Sequence, residues 1–356
     1  MMENLVRANI ANLTPYSSAR NEFTGEAEVY LDANENWQGF VSLDGANRYP
    51  DPQATAVRRK IESVLGLPFA HTVIGSGSDE LIDNLIRIFC EPRVDSILVM
   101  NPTYGAYRVF ADVNDVAVYS VDLTEEFQID LAALTRFLED ERDSRAGGRL
   151  KIIFICSPNN PTGNAFSLDT IERICARFDG IVVVDEAYQD FSDKESAVTL
   201  LPRFERLVVL RTLSKCWGLA SARVGIAVAS EKIISLIASM KYPYNVGGPS
   251  QELALEALAQ SEKVAVGKRA IIEERERMRE ELGRIACIRR VFASDANFLL
   301  VRVRDARSLY RFLAERGIIV RDRSSQKHCA ECLRFTVGSR TENERLLAAL
   351  KEYCNG

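Results

Sequence analysis

Short apolar runs alternate with amphipathic stretches between about residues 72 and 228. The runs are rich in β-branched residues and apolar at nearly every position, which predicts strands buried on both faces. They lie at 72–74, 96–99, 116–119, 152–155, 181–184, 207–210 and 224–228. Helical periodicity separates several of them, at 79–90, 103–112, 130–140 and 167–178. The alternation predicts an α/β fold with a mostly parallel seven-stranded sheet and helices on both faces.

The pattern changes after residue 248. A long stretch with helical composition, 249–282, is followed by four shorter strand-like segments and two helical ones. The strand-like segments are 288–293, 297–303, 318–321 and 332–337, and the helical ones are 305–316 and 341–353. This order predicts a smaller α+β domain. We therefore assign residues 28–248 to a large domain, and residues 1–27, as an N-terminal arm, together with 249–356 to a small one.

Composition and net charge indicate which classes of binding partner are expected. The chain has 356 residues, 47% of them hydrophobic and 27% charged, and a formal net charge of −5. That balance is typical of a globular protein of two domains and disfavours nucleic acid or an anionic membrane surface as a partner. No apolar run approaches the roughly 18 residues of a membrane span, and the first residues lack the pattern of a secretory signal. We expect a cytoplasmic protein.

Eight cysteines are spread thinly along the chain. Most lie in apolar runs, which predicts reduced, buried thiols rather than a disulfide framework. Cys329 and Cys332 form a single CxxC pair, and the chain has only 2 histidines. A structural zinc site needs four ligands, usually from two such pairs, so we predict no metal site.

Candidate chemistry follows the strands, because ligands in open α/β sheets bind beyond the carboxyl ends of the strands. The first run leads into Gly-Ser-Gly-Ser-Asp-Glu, residues 75–80, at the start of a predicted helix. Free backbone N–H groups and the helix dipole at such a start suit a phosphate. An ordinary helix cap by Ser78 or Asp79 explains the same residues.

Two further strands end in polar residues. Asn160 lies in the rigid loop Ser-Pro-Asn-Asn-Pro-Thr-Gly, residues 157–163, and its amide is either structural or directed at a ligand. Asp185 ends a fully apolar run and needs a cationic or donor partner, which could equally be a structural ion pair.

Lys215 follows the next apolar run, within Arg-Thr-Leu-Ser-Lys-Cys-Trp-Gly, residues 211–218. A lysine that is desolvated in a cleft can lose its proton near neutral pH, as a Schiff-base nucleophile must. Ser214 and Arg223 lie on either side of it. An anion site, an amide, a buried carboxylate and a nucleophilic lysine match the phosphate, phenolic oxygen, ring nitrogen and aldehyde of pyridoxal 5′-phosphate.

The ordered set GSGSDE, NPTYGAY, SPNNPTG, VVVDEAY and TLSKCWGLASARVG resembles the fold-type I pyridoxal-phosphate-dependent aminotransferases. Further segments resemble the histidinol-phosphate aminotransferases within that group: LTPY at 13–16, LDANEN at 31–36, NRYP at 47–50, IVRD at 319–322 and CLRFTVG at 332–338. The resemblance covers nearly the whole chain, from about residue 5 onward.

The resemblance implies a role for each matching cofactor residue. Lys215 would carry the cofactor as a Schiff base and then move a proton to and from it. Asp185 would bind the ring nitrogen, while Asn160 and Tyr188 would bind the phenolic oxygen. Tyr104 would stack on the ring.

The implied phosphate site combines backbone and side-chain groups from several segments of the chain. Its members would be Ser78, Asp79, Ser214, Arg223 and, from the neighbouring subunit, Tyr49. A homodimer with shared active sites is therefore expected.

The implied substrate residues are Tyr16, Asn34, Arg321 and Arg334. Arginine binds carboxylate and phosphate alike in a bidentate manner, so one pocket could serve both histidinol phosphate and glutamate or 2-oxoglutarate. From the residues alone, surface ion pairs are the favoured interpretation of Arg321 and Arg334, and the substrate role rests on the resemblance.

Other activities stay open at this point. They are an aminotransferase for aromatic amino acids, a threonine-phosphate decarboxylase of the same fold, a regulatory protein that binds the cofactor, and a metal-binding CxxC module. Trp37 and the Cys216-Trp217 pair depart from the usual motifs and bear on substrate preference.

Overall fold

A computed structural model describes residues 2–14, 31–41, 43, 45–143 and 149–355. Seven strands form the larger sheet, in the order β1-β7-β6-β5-β4-β2-β3. They are β1 (Thr72–Ser76), β2 (Ser96–Asn101), β3 (Ala117–Asp122), β4 (Leu150–Cys156), β5 (Ile181–Asp185), β6 (Leu207–Thr212) and β7 (Val224–Ala229). Strand β7 is antiparallel to β1 and to β6, and the other neighbours are parallel. The predicted mostly parallel seven-stranded sheet is confirmed.

Helices cover both faces of this sheet. They are α1 (Ala8–Ala11), α2 (Thr55–Leu65), α3 (Gly77–Phe89), α4 (Ala106–Val113), α5 (Leu131–Asp143), α6 (Leu168–Arg177), α7 (Glu231–Met240) and α8 (Gly248–Ala259). Helices α2, α5, α6 and α8 bury apolar side chains in the core on one face, and α3, α4 and α7 do so on the other. Strands β4 to β7 have almost no exposed residue because they are covered on both sides, as their apolar runs predict.

A second, antiparallel sheet of four strands has the order β10-β11-β9-β8. Its strands are β8 (Ile288–Val291), β9 (Phe298–Val303), β10 (Arg321–Asp322) and β11 (Cys332–Thr336), and its helices are α9 (Ser261–Gly283), α10 (Ala306–Glu315) and α11 (Arg340–Asn355). The predicted smaller α+β part is therefore present. Alternate side chains of β9 lie on opposite faces of the smaller sheet. Leu299 and Val301 lie in the core beneath the helices, and Leu300 packs with the core of the larger sheet.

Two details differ from the expected organisation. The predicted helical stretch 249–282 is two helices that meet at Gln260, and Ala254 and Leu258 of α8 join the core beneath the larger sheet. Met2 and Leu5 pack against the other face of that sheet, although we predicted that the N-terminal arm belongs to the small domain. The domain division at 27/28 and 248/249 stays a prediction.

The expectation of reduced thiols throughout is wrong for one pair. Cys287 and Cys354 are joined by a disulfide, with Cα atoms 5.5 Å apart, and they are 67 positions apart in the sequence. The pair joins the segment before β8 to the end of α11, and only the packing of that helix brings the two residues together. The other six cysteines are free.

The described residues contain neither a cluster of metal ligands nor a membrane-spanning helix. No group of three or more histidine, cysteine, aspartate or glutamate residues there could hold a metal ion. No helix in the same part of the chain is long and apolar enough to cross a membrane.

Candidate active site

A cleft lies beyond the carboxyl ends of the central strands, at the edge of the sheet where the loops that follow parallel strands meet. Each predicted cofactor residue except Tyr49 lines it: Ser78, Asp79, Tyr104, Asn160, Asp185, Tyr188, Ser214, Lys215 and Arg223. Cys156, Ala187 and Thr212 complete the lining. The loops after β1, β2, β4, β5 and β6 thus converge on one site, although about 145 positions separate the first of these residues from the last.

The start of α3 forms one end of the cleft. Ser78 and Asp79 lie in its first turn, where backbone N–H groups have no partner within the helix. Gly77 has a φ of 74°, and a Cβ there would lie 2.3 Å from Nη2 of Arg223. A Cβ on Gly225 would lie 2.4 Å from the backbone nitrogen of Ser78. Both glycines are required because β7 and the Arg223 guanidinium approach the loop so closely.

Arg223 completes this end of the cleft. It has a left-handed φ of 55°, and its guanidinium lies 3.3 Å from Oδ2 of Asp79 and 3.5 Å from Oγ of Ser214. A guanidinium, a hydroxyl and free helix N–H groups around one cavity form a site for a phosphate.

Asp185 lies at the floor of the cleft, at the end of β5. Its Oδ2 accepts a hydrogen bond of 2.8 Å from the Tyr107 hydroxyl, and its Oδ1 accepts one of 3.1 Å from the backbone N–H of Ala187. Burial raises the pKa of this carboxyl, while those two hydrogen bonds oppose the rise. A carboxylate held this way is suited to accept a proton or hydrogen bond from a ring nitrogen.

Tyr107, which donates a hydrogen bond to Asp185, is not among the site residues predicted from the sequence. Its ring is fully buried and stacks on Phe154 with the centroids 4.8 Å apart. Two sequence features pointed to it only indirectly. A buried aspartate requires a hydrogen-bond donor, and Tyr107 is the second residue of α4, within the NPTYGAY motif. The sequence indicates that Asp185 needs a hydrogen-bond donor, but it does not identify Tyr107 as that donor.

The Tyr107→Phe substitution tests the support of Asp185. Loss of a buried hydrogen bond to a charged group costs about 1.5–3 kcal/mol, so the free energy of unfolding at neutral pH should fall by that order. The pKa of the Asp185 carboxyl should rise further, since the hydroxyl stabilises only the ionised form. The stability difference from the native protein should therefore shrink as the pH falls and the carboxyl becomes protonated in both proteins.

Urea unfolding at several pH values measures this difference, and Tyr119→Phe, at a partly exposed tyrosine of the edge strand β3, is the matched control. A loss of stability that does not vary with pH would show that the hydroxyl acts on something other than the carboxylate.

Lys215 follows β6 and lines the cleft, with Nζ 5.5 Å from the centroid of the Tyr188 ring. Burial lowers the pKa of its ammonium group, and the positive charge of Arg334 lowers it further; the negative charge of Asp185 acts in the opposite direction. The neutral, nucleophilic amine is consequently available at lower pH than that of an exposed lysine.

Two tyrosines, Tyr104 and Tyr188, also line the cleft. The Tyr104 hydroxyl donates to Oδ1 of Asp79 over 3.1 Å, which fixes its ring at one side of the cleft. Burial is the largest cause that raises the pKa of Tyr188, so this phenol stays protonated and able to donate.

The smaller sheet contributes Arg334. Its guanidinium donates to Oδ1 of Asn160 and lies 5.0 Å from the centroid of the Phe298 ring. Because an arginine only donates, the side-chain oxygen of Asn160 is occupied and its NH2 group is the part left to face a ligand. Arg321 lies directly opposite Arg334 in the β10–β11 pair but is exposed.

The remaining predicted residues are not brought into the cleft of a single chain. Tyr16 lies outside the described residues. Asn34 is exposed, with a left-handed φ of 54°, and is absent from the cleft lining in the described part of the chain. Tyr49 is half exposed and stacks on Tyr244 at 4.4 Å.

The residues in the cleft fit pyridoxal phosphate. The cradle at the start of α3 matches the phosphate, and the carboxylate of Asp185 matches the ring nitrogen. The free NH2 group of Asn160 and the Tyr188 hydroxyl match the phenolic oxygen, and Lys215 matches the aldehyde.

Comparisons with known proteins agree with this geometry. The family described as "Aminotransferase class I and II" matches residues 19–350. The histidinol-phosphate aminotransferase of Cytophaga hutchinsonii is 45% identical over 352 residues, which cover 99% of each chain.

Solved structures show the same architecture. The histidinol-phosphate aminotransferase of Clostridium acetobutylicum superimposes with a TM-score of 0.78 at 25% identity, covering 87% of this chain and 92% of that one. The enzyme from Sinorhizobium meliloti, solved in complex with pyridoxal-5′-phosphate, shares the fold with a TM-score of 0.75 at 21% identity, over 86% of this chain and 83% of that one.

Proposed function

The chain belongs to the class I and II aminotransferase family, and from that membership we propose that it transfers an amino group between histidinol phosphate and 2-oxoglutarate, a step of histidine biosynthesis. It is a pyridoxal-phosphate-dependent enzyme. The observation that carries the choice of substrate is the full-length similarity to histidinol-phosphate aminotransferases together with an arginine pair, Arg321 and Arg334, on adjacent strands.

When bound, the cofactor supplies an electron sink conjugated to the carbon that carries the amino group. The residues of the chain hold it. Ser78, Asp79, Ser214 and Arg223 would bind its phosphate, and Asp185 would keep its ring nitrogen protonated. Tyr104 would cover one face of the ring.

Lys215 would hold the cofactor through its amine and would act as the base and acid that moves one proton. Its lowered pKa supports this role, because a base must be deprotonated at the working pH. Asn160 and Tyr188 would donate hydrogen bonds to the phenolic oxygen and so fix the ring relative to Nζ of Lys215.

Arg334 and Arg321 would bind the anionic groups of both substrates. Two half-reactions must use one pocket, and a guanidinium accepts either a phosphate or a carboxylate. Tyr16 and Asn34 would assist them, as the resemblance implies. Arg334 also contacts Asn160, which would couple the substrate anion to the cofactor ring.

A comparison of kcat/KM for four amino donors, with 2-oxoglutarate as acceptor, tests the proposed substrate. The donors are histidinol phosphate, phenylalanine, tyrosine and threonine phosphate. Histidinol phosphate should exceed each of the others by at least about 100-fold, the discrimination that a buried, charge-paired phosphate can provide. A higher value for phenylalanine or tyrosine would favour an aromatic aminotransferase, and release of CO2 from threonine phosphate would favour the decarboxylase.

A homodimer with shared active sites is part of the proposal. Large apolar side chains between residues 31 and 41 are strongly exposed in a single chain: Leu31 is 90% exposed, Trp37 76% and Phe40 81%. A patch of this kind marks an interface, and Tyr49 lies beside it in sequence, where it could reach the phosphate of a second copy. Sedimentation equilibrium that gives the mass of one chain, 39.8 kDa, would contradict the dimer.

We place the enzyme in the cytoplasm, where its amino-acid substrates would be. Cell fractionation tests this, and recovery of the protein with membranes or outside the cell would contradict it.

A further inference from the structure

We propose that Arg323 is a third cationic residue of the substrate pocket and that it selects the phosphate of histidinol phosphate over the side-chain carboxylate of glutamate. The inference rests on the proposed function and adds to it a specificity-determining residue.

The backbone places Arg323 beside the two other arginines. Arg321 lies directly opposite Arg334 in the β10–β11 ladder. The backbone N–H of Arg323 donates to the carbonyl oxygen of Cys332 over 2.9 Å, so the pairing continues one residue beyond β10. Since alternate residues of a strand share a face, and directly opposite residues also share it, all three arginines lie on one face of the smaller sheet.

That face is the one turned toward the cleft. Leu300, opposite Arg334 on β9, packs in the core of the larger sheet, whereas Leu333 packs on the other side, in the core of the smaller one. Phe298, two residues before Leu300, contacts the Tyr188 ring edge to face at 5.1 Å. The positive charge of Arg323 reaches the same place, since it opposes the rise in the pKa of Tyr188.

Buried polar atoms without a partner occur on this face of the smaller sheet. Among the described residues eight side-chain atoms are buried and lack a hydrogen bond. Three of the eight are Nε of Arg302, Arg323 and Arg334, which lie on this face, and two more, Oγ of Ser324 and Oε1 of Gln326, belong to the turn after β10. Such groups are costly to leave unpaired, so the three Nε atoms indicate a polar ligand at this face.

Charge compensation among the three guanidinium groups is incomplete. Burial is the largest cause that lowers the pKa of Arg323 and of Arg334, and the positive charge of Arg321 lowers both further, as expected for guanidinium groups that repel one another; the negative charge of Asp322 opposes the shift at Arg323. An anion bound among them would relieve the repulsion. A phosphate monoester carries close to two negative charges above its second pKa of about 6 and has three acceptor oxygens, whereas a carboxylate carries one charge and has two oxygens. A third guanidinium therefore favours the phosphate more strongly than the carboxylate.

The test compares the two half-reactions of the holoenzyme in Arg323→Gln and Arg323→Lys variants. In Arg323→Gln the KM for histidinol phosphate should rise by about 10-fold or more, the usual cost of a lost charge-assisted contact, with kcat changed less than about 2-fold. In the same variant the KM for glutamate should change by less than about 3-fold. Arg323→Lys keeps the charge and should recover part of the loss. Arg289→Gln removes an exposed charge from β8, at the opposite edge of the same sheet, and should leave both values unchanged.

A pH series adds a readout that misfolding does not produce. In the native enzyme the KM for histidinol phosphate should fall as the pH rises through the second phosphate pKa, and this dependence should be weaker in Arg323→Gln. Equal losses on both substrates, or no loss on either, would overturn the role of Arg323.

Inhibition of the glutamate half-reaction by inorganic phosphate separates this inference from the proposed function. Arg323→Gln should raise the inhibition constant by about 10-fold, on the same argument as for KM. An unchanged constant would overturn the phosphate role. The native enzyme could prefer another amino donor while Arg323→Gln still raises the inhibition constant for inorganic phosphate. In that case the proposed substrate is wrong and the phosphate site around Arg323 is supported.

Discussion

Replacement of Lys215 by alanine is expected to lower kcat by at least about 10⁴-fold, because it removes both the covalent attachment point and the group that moves the proton. The reason is local: among the residues that line the cleft, Lys215 alone provides an amine. Its lowered pKa makes that amine available as a base. Cofactor binding should weaken but persist, since the cradle at α3 and the carboxylate of Asp185 are untouched.

Stopped-flow absorbance of the glutamate half-reaction separates these effects, because it follows the cofactor directly in a single turnover. Lys232→Ala, at an exposed lysine of α7, is the matched control and should behave as the native enzyme does. Retention of multiple turnovers by Lys215→Ala would refute the assignment of the base.

Replacement of Asp185 by asparagine is expected to lower kcat by about 10³-fold while the cofactor stays bound. The substitution conserves shape and removes the charge that would keep the ring nitrogen protonated. The loss should not be recovered at any pH, since the amide has no ionised form. Tyr107→Phe, which leaves the carboxylate in place, should have a much smaller effect on kcat.

Steady-state kinetics between pH 6 and 9 provide the measurement, with Asp193→Asn, at an exposed aspartate beyond β5, as the control. A kcat within about 10-fold of the native value would mean that the buried carboxylate is structural, since a lost preorganised charge costs more than that.

The strand order and the site loops show why so much could be predicted from sequence. Strands such as β5 are covered on both faces, so the positions before Asp185 are all apolar and the run is conspicuous. Once the sheet is recognised, Asp185 and Lys215 are expected near one edge of it, because Asp185 ends β5 and Lys215 lies three residues beyond the end of the neighbouring strand β6.

Features that depend on tertiary contacts were not predictable in this way. Tyr107 reaches Asp185 only because α4 packs Tyr107 against Phe154. Arg323 looks like an ordinary surface residue until the register of β10 and β11 places it beside Arg334. The Cys287–Cys354 disulfide likewise depends on how α11 packs, and the spacing of the two cysteines along the chain does not predict it.

Peptide mapping of the native holoenzyme after borohydride reduction tests the role of Lys215 most directly. We expect the cofactor to be covalently attached to the peptide that contains Lys215, in about one copy per chain, and the Lys215→Ala protein to carry none. Attachment to a different lysine, or none in the native protein, would contradict the assignment of this cleft as the active site.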